Sequence, residues 1–205
     1  MYNEITLPKL MLEENMVYIP SAAYIMWMFH RDDEAKTLRD KYIAELEETD
    51  DERKDREIIV RLSKVEDFFK WMRKPLKGKN KFLLRDIMLN REAEVMPMVK
   101  EKIMTNWTDD FVECAVELFI ECNEDPSQWI RDNYFDVRNP YAQSELCLVL
   151  GFRGGKDDTA FLLEETKRFV MEYPDEDFEQ GPVIALYMIH GYEDYVRNAT
   201  HDAVR

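Results

Sequence analysis

An all-α fold follows from three features of the 205-residue chain. Apolar side chains recur at spacings of three and four, helix-capping residues stand just ahead of several of these runs, and turn formers are scarce. Six glycines and four serines (Ser21, Ser63, Ser127, Ser144) are too few for a meander of tight hairpins. An apolar fraction of 45%, with 12% aromatic residues, is that of a folded chain able to bury a real core.

Pro20-Ser21 caps residues 24–29, a run apolar on every side that reads as a buried helix. A second helix is expected over 33–48, with Leu38, Tyr42 and Leu46 one turn apart. Thr49-Asp50-Asp51-Glu52 forms a capping box, since the Glu52 side chain can reach back to the Thr49 amide. It predicts one long helix up to Lys74-Pro75, striped by Ile58, Leu62, Val65, Phe69 and Met72. Lys77-Gly78-Lys79-Asn80 reads as a linker.

Shorter helices then follow in pairs. Residues 82–89 precede a helix reaching Met104, which Pro97 should kink or delay. Thr108-Asp109-Asp110 caps a helix carrying Phe111, Ala115, Leu118, Phe119 and Cys122, while Asp125-Pro126 and Asn139-Pro140 open two more. Gly151 and Gly154-Gly155 are expected to turn the chain into an amphipathic helix through Phe161, Leu162, Thr166, Phe169, Val170 and Tyr173. Pro174 ends it, and 183–189 supplies a last apolar stretch.

Tyr141-Ala142-Gln143-Ser144-Glu145-Leu146-Cys147-Leu148-Val149-Leu150-Gly151, the turn Gly154-Gly155-Lys156-Asp157 and the helix from Thr159 together resemble a HEAT-like repeat unit. Residues 141–173 carry the resemblance, and it extends over 82–190. The resemblance implies helix pairs stacked as an α-solenoid, with macromolecule binding as the usual role and no catalytic residues. The expected organisation is therefore an N-terminal helical bundle over 1–76, a HEAT-like array over 80–195 packed on it, and a C-terminal tail over 198–205.

The net charge of −15 is uneven. Residues 1–78 hold 17 acids and 14 bases, leaving 26 acids and 14 bases for the rest. A basic stretch marks the junction: Lys70, Arg73, Lys74, Lys77, Lys79, Lys81 and Arg85, with no acid between Asp67 and Asp86. An acidic body repels nucleic-acid phosphates and anionic lipid heads, so direct nucleic-acid or membrane binding is not expected. No apolar run reaches the roughly 20 residues that span a bilayer, and the N-terminus lacks the pattern of a secretory signal. Cys114, Cys122 and Cys147 are odd in number and sit in apolar runs, which suggests buried thiols in a reducing compartment and a cytoplasmic location.

Residues that could carry chemistry do not assemble into familiar sets. Gly151-Phe152-Arg153-Gly154-Gly155-Lys156-Asp157 is one residue short of a phosphate loop, puts Asp157 where a hydroxyl is needed, and follows a helix. His30, His190 and His201 are far apart, and Cys114 and Cys122 share a helix face at core spacing. No catalytic residue, metal ligand or cofactor is expected. Glu45/Glu48 and Glu52/Asp55 have the letters of a magnesium-binding helical hydrolase, but the two pairs stand too close in sequence to face each other.

The leading expectation is a non-enzymatic macromolecule-binding or scaffold protein acting through a helical-repeat surface. Two alternatives are an acidic inhibitor or immunity-type protein neutralising a basic target such as a nuclease, and a magnesium-dependent helical hydrolase. Candidate partner-binding residues are the acidic Glu172, Asp175, Glu176 and Asp177 and the basic Lys74, Lys77 and Lys79, with a protein partner, basic in character, as the expected ligand.

Overall fold

Residues 33–190 are described by the computed structural model. The helix expected after Pro20-Ser21 and the 198–205 tail lie outside them. Ten α-helices and no strand occur among the described residues. The chain divides into two compact units, one of Met1–Glu48 with Gly191–Arg205 and one of Thr49–His190.

The described helix of the first unit is α1 (Asp33–Glu45), three residues shorter than expected, so Leu46 falls beyond its end. The second unit holds α2 (Asp50–Ile59), α3 (Val65–Met72), α4 (Gly78–Leu89), α5 (Glu92–Ile103) and α6 (Asp109–Glu121). These are followed by α7 (Ser127–Asn133), α8 (Pro140–Arg153), α9 (Thr159–Glu172) and a last helical run, α10, over 180–190.

The Thr49 capping box forms as its letters predict: Glu52 N–H donates to Thr49 Oγ1 at 3.3 Å, and Thr49 N–H to Glu52 Oε2 at 2.7 Å. The long helix it was expected to open is, however, two. Residues 60–64 turn the chain between α2 and α3, and the Ser63 carbonyl is held by Arg91 Nη1 at 2.7 Å. The expected stripe fails at the same point, because Ile58 is 50% exposed while its neighbour Ile59 is fully buried. Burying Ile59, Phe68 and Met72 together demands a change of helix direction that a single 3.6-residue period cannot supply.

Lys77-Gly78-Lys79-Asn80 is likewise no linker. Gly78 begins α4 at φ 53°, a left-handed conformation that glycine adopts without the Cβ clash other residues meet. Pro97 lies inside a continuous α5. Gly151, expected in a turn, sits within α8 because a close approach needs it there. A Cβ at that position would come within 2.7 Å of the Ala185 Cα on α10.

Helix α6 is the centre of the unit and packs against α3, α4, α5 and α8. Its Phe111, Val112, Ala115, Leu118 and Phe119 are fully buried. The even-numbered helices touch in succession, α2 on α4, α4 on α6 and α6 on α8, with Gly151 bringing α8 against α10. Helix α3 packs in the same way on α5.

Candidate macromolecule-binding edge

Connections between helices gather on two edges of this row. On the first, Arg91 holds the 60–64 turn, Glu92 Oε1 accepts the Glu124 N–H at 3.0 Å, and Arg153 Nη1 donates to the Ile120 and Cys122 carbonyls at 2.8 and 2.7 Å. On the second, Arg73 Nε donates to Thr108 Oγ1 at 3.4 Å and the Arg138 N–H to the Met104 carbonyl at 3.0 Å. Ser144 Oγ then donates to the Phe178 carbonyl at 2.6 Å. Most of these bonds tie one connection, or the helix end beside it, to the next of the same kind along the chain, while Ser144 lies in the second turn of α8.

The second edge carries every predicted site residue, but spread over its length. Lys74 and Lys77 belong to the α3–α4 connection and Lys79 to the first turn of α4, with Lys74 Nζ 3.3 Å from the centre of the Trp71 ring. Glu172, Asp175, Glu176 and Asp177 end α9 and form the α9–α10 turn, and all four are exposed. Glu172 accepts from Arg168 Nη1 at 3.1 Å, whereas Asp175, Glu176 and Asp177 have no ion pair or side-chain hydrogen bond among the described residues. The acidic and basic sets are not brought together: α5 to α8 lie between them in the order of contacts.

Two residues on this edge escaped the sequence reading. Trp107, 64% exposed, lies in the α5–α6 connection, and Phe135, 70% exposed, lies in the α7–α8 connection. The two connections touch, since Asn139 Nδ2 donates to the Asn106 carbonyl at 3.2 Å. Phe135 is braced edge-on by Tyr134 at 5.2 Å and by Phe161 at 6.3 Å between ring centres. The available signal was an aromatic residue among turn formers, Asn106-Trp107-Thr108 and Tyr134-Phe135-Asp136, outside any apolar stripe. In chain order the connections of this edge thus hold lysines, Trp107, Phe135 and unpaired carboxylates, with the Phe135 ring against Phe161 at the start of α9.

A second charged feature crosses the α4, α6 and α8 faces. Buried Arg85 pairs with Glu117 and with Glu121, while Lys81 Nζ lies 2.9 Å from Glu117 Oε1. On α8, burial and then the charges of Glu113 and Glu117 raise the Glu145 carboxyl to about 7. Burial also raises Glu113, partly offset by Lys81. Beside this cluster lies a cavity of about 30 Å³ lined in part by Trp71, Lys81, Glu113 and Cys114. That is room for about one water molecule, far below the several hundred Å³ of a small-molecule site. Burial pushes the Cys114 thiol up to about 12, away from nucleophilic use.

The phosphate-loop look-alike is an interhelical turn. Asp158 accepts the Gly155 N–H at 3.0 Å and pairs with Arg131 Nε at 2.7 Å. Although burial opposes its ionisation, these bonds hold the Asp158 carboxyl below its ordinary value. His190 Nε2 shares a hydrogen bond with Thr159 Oγ1 at 2.8 Å. No group of three or more His, Cys, Asp or Glu residues that could hold a metal ion occurs among the described residues. No described helix is long and apolar enough to cross a membrane. No protein-family model, curated protein or solved structure matches the chain.

Proposed function

We propose that the protein is a non-catalytic binding or scaffold protein, built as a short HEAT-like stack of helix pairs and recognising a cationic protein through its second loop edge. The repeat character is supported by the spacing of its long-range bonds. Asn80 to Glu52, Arg131 to Asp158, Asn139 to Asn106 and Arg73 to Thr108 join residues separated by 28, 27, 33 and 35 positions. Bonds that recur about one helix pair apart are what stacked units produce, since each unit contacts chiefly its neighbours.

The observation that carries the binding role is the exposure of Trp107 and Phe135 on adjacent connections of an edge that ends in unpaired carboxylates. Large aromatic side chains supply most of the energy of protein interfaces, and a field of one sign steers an oppositely charged partner toward them. A basic target neutralised by this surface, as an inhibitor or immunity-type protein would neutralise it, is the same reading applied to a harmful partner.

The test is capture from native lysate on immobilised full-length chain, with three baits compared. Wild type should retain a basic protein that salt elutes. The Trp107→Ala/Phe135→Ala variant should lose it. The Glu172→Gln/Asp175→Asn/Glu176→Gln/Asp177→Asn variant should bind it with a slower, less salt-sensitive on-rate. Identical retention by all three baits would remove this edge as the binding surface.

A further inference from the structure

We propose that Glu165 and Arg168 are positioning residues for the binding edge, drawing Tyr134 into the core so that Phe135 is the ring presented to a partner; this deepens the reading above and rests on it.

Tyr134 and Phe135 are neighbours in one 3-10 turn, Tyr134–Asp136, between α7 and α8. The more apolar of the two is outside: Phe135 is 70% exposed and Tyr134 only 1%. Removing apolar area from water would favour the opposite choice, because a phenol carries a hydroxyl that needs a partner once buried. Phe161 does not decide between them. Its ring meets both, with centres 4.9 Å from Tyr134 and 6.3 Å from Phe135.

The polar groups beneath the turn do decide. The Tyr134 hydroxyl donates to Glu165 Oε2 at 2.7 Å, and the same oxygen accepts Arg168 Nε at 2.8 Å and Nη2 at 2.6 Å. Arg168 Nη2 also donates to Gln143 Oε1 at 2.8 Å. Gln143 Nε2 in turn donates to the Val137 carbonyl at 2.9 Å and the Tyr134 carbonyl at 3.4 Å. Tyr134 is thus held by its hydroxyl from α9 and by its carbonyl from α8, and Arg168 joins the two grips. Burial, with Cys147 and Glu165 beside it, raises the Tyr134 hydroxyl above its ordinary value, so it stays a donor. Glu165 is 3% exposed, and a carboxylate there carries a desolvation cost that apolar packing would avoid. What it supplies is the choice of ring. Without that acceptor a buried Tyr134 hydroxyl is unsatisfied, and the turn gains by burying Phe135 instead.

Fluorine NMR of the full chain, with para-fluorophenylalanine at position 135 and a soluble gadolinium chelate, reads the exposure of that ring. A second chain labelled at the fully buried Phe119 gives the core reference. In wild type the label at 135 should broaden strongly and the label at 119 hardly at all. Glu165→Leu/Arg168→Met removes the acceptor with apolar side chains, and the label at 135 should then lose most of its broadening. Adding Tyr134→Phe to that pair removes the stranded hydroxyl, and the broadening should return. A merely structural network would shift the melting temperature of these variants without this loss and recovery. Should circular dichroism show the double variant unfolded, Glu165→Leu alone takes its place, since Arg168 there keeps Glu172 and Gln143. Equal broadening in wild type and the variant lacking the acceptor, or no recovery with Tyr134→Phe, would overturn the proposal. The measurement needs no partner, so failure of the ring selection and failure of the binding edge are separate outcomes.

Discussion

Arg85 Nε lies 2.8 Å from Glu121 Oε1, and both side chains are almost wholly buried. The guanidinium on α4 thereby ties α4 to the central helix α6, with Glu117 as its second carboxylate. Carboxylates in this setting tolerate burial only while the cation remains. Arg85→Ala should therefore destabilise the protein by about 3–5 kcal/mol, the usual result of stranding a buried charge. Arg85→Met combined with Glu121→Leu should recover much of that loss. Urea unfolding of the two variants checks this, and equal destabilisation in both would show that packing outweighs the charge.

The Glu145 carboxyl gives a pH dependence of definite sign. Its folded-state value of about 7 lies above the ordinary 4.5, so the folded protein holds a proton that the unfolded chain has released. This contribution to stability is complete below pH 4.5 and is lost as pH rises through 7, for a total of at most about 3 kcal/mol. Glu145→Gln should flatten the difference in melting temperature between pH 5.5 and pH 8. Asp109, Glu113 and Glu117 of α6 face this region, and Lys81 tempers Glu113, so the residual slope in the variant reports on them.

Three glycines should respond differently to alanine. At Gly151 a Cβ meets the Ala185 backbone at 2.7 Å, and at Gly181 it meets the Ser144 carbonyl oxygen at 2.1 Å. Both substitutions should cost about 1–3 kcal/mol through forced separation of α8 and α10. Nothing stands within 4 Å of a Cβ at Gly155, so Gly155→Ala should be close to neutral. Thermal melts of the three variants give the comparison.

Two helix starts that look alike in sequence should also separate. Asn139 Oδ1 accepts the Tyr141 N–H at 3.0 Å, so Asn139→Ala should cost about 1 kcal/mol as a lost cap. Thr108 makes no side-chain cap bond, and its hydroxyl meets Arg73 instead. Thr108→Ala should therefore cost less than Asn139→Ala, and chemical denaturation of both checks the order.

Much of the architecture was legible in local pattern. The Thr49–Glu52 box, the Asn139-Pro140 start and the apolar face of α6 depend on residues within a few positions of one another, and chain geometry alone brings those together. The misreadings share a cause. Whether Ile58 or Ile59 is buried, why Gly151 must be glycine, and why the helix breaks at 60–64 are settled by α4, α5 and α10, which lie roughly one to two helix pairs away.

The binding edge divides along the same line. Sequence alone determined the sign and position of the acidic and basic sets, because charge is a property of each side chain. Only the tertiary structure decided that the two sets stand apart, that Trp107 and Phe135 are exposed, and that Glu145 faces carboxylates from α6. Exposure and electrostatic neighbourhood depend on what the folded chain places opposite a residue. No spacing along the chain encodes that directly.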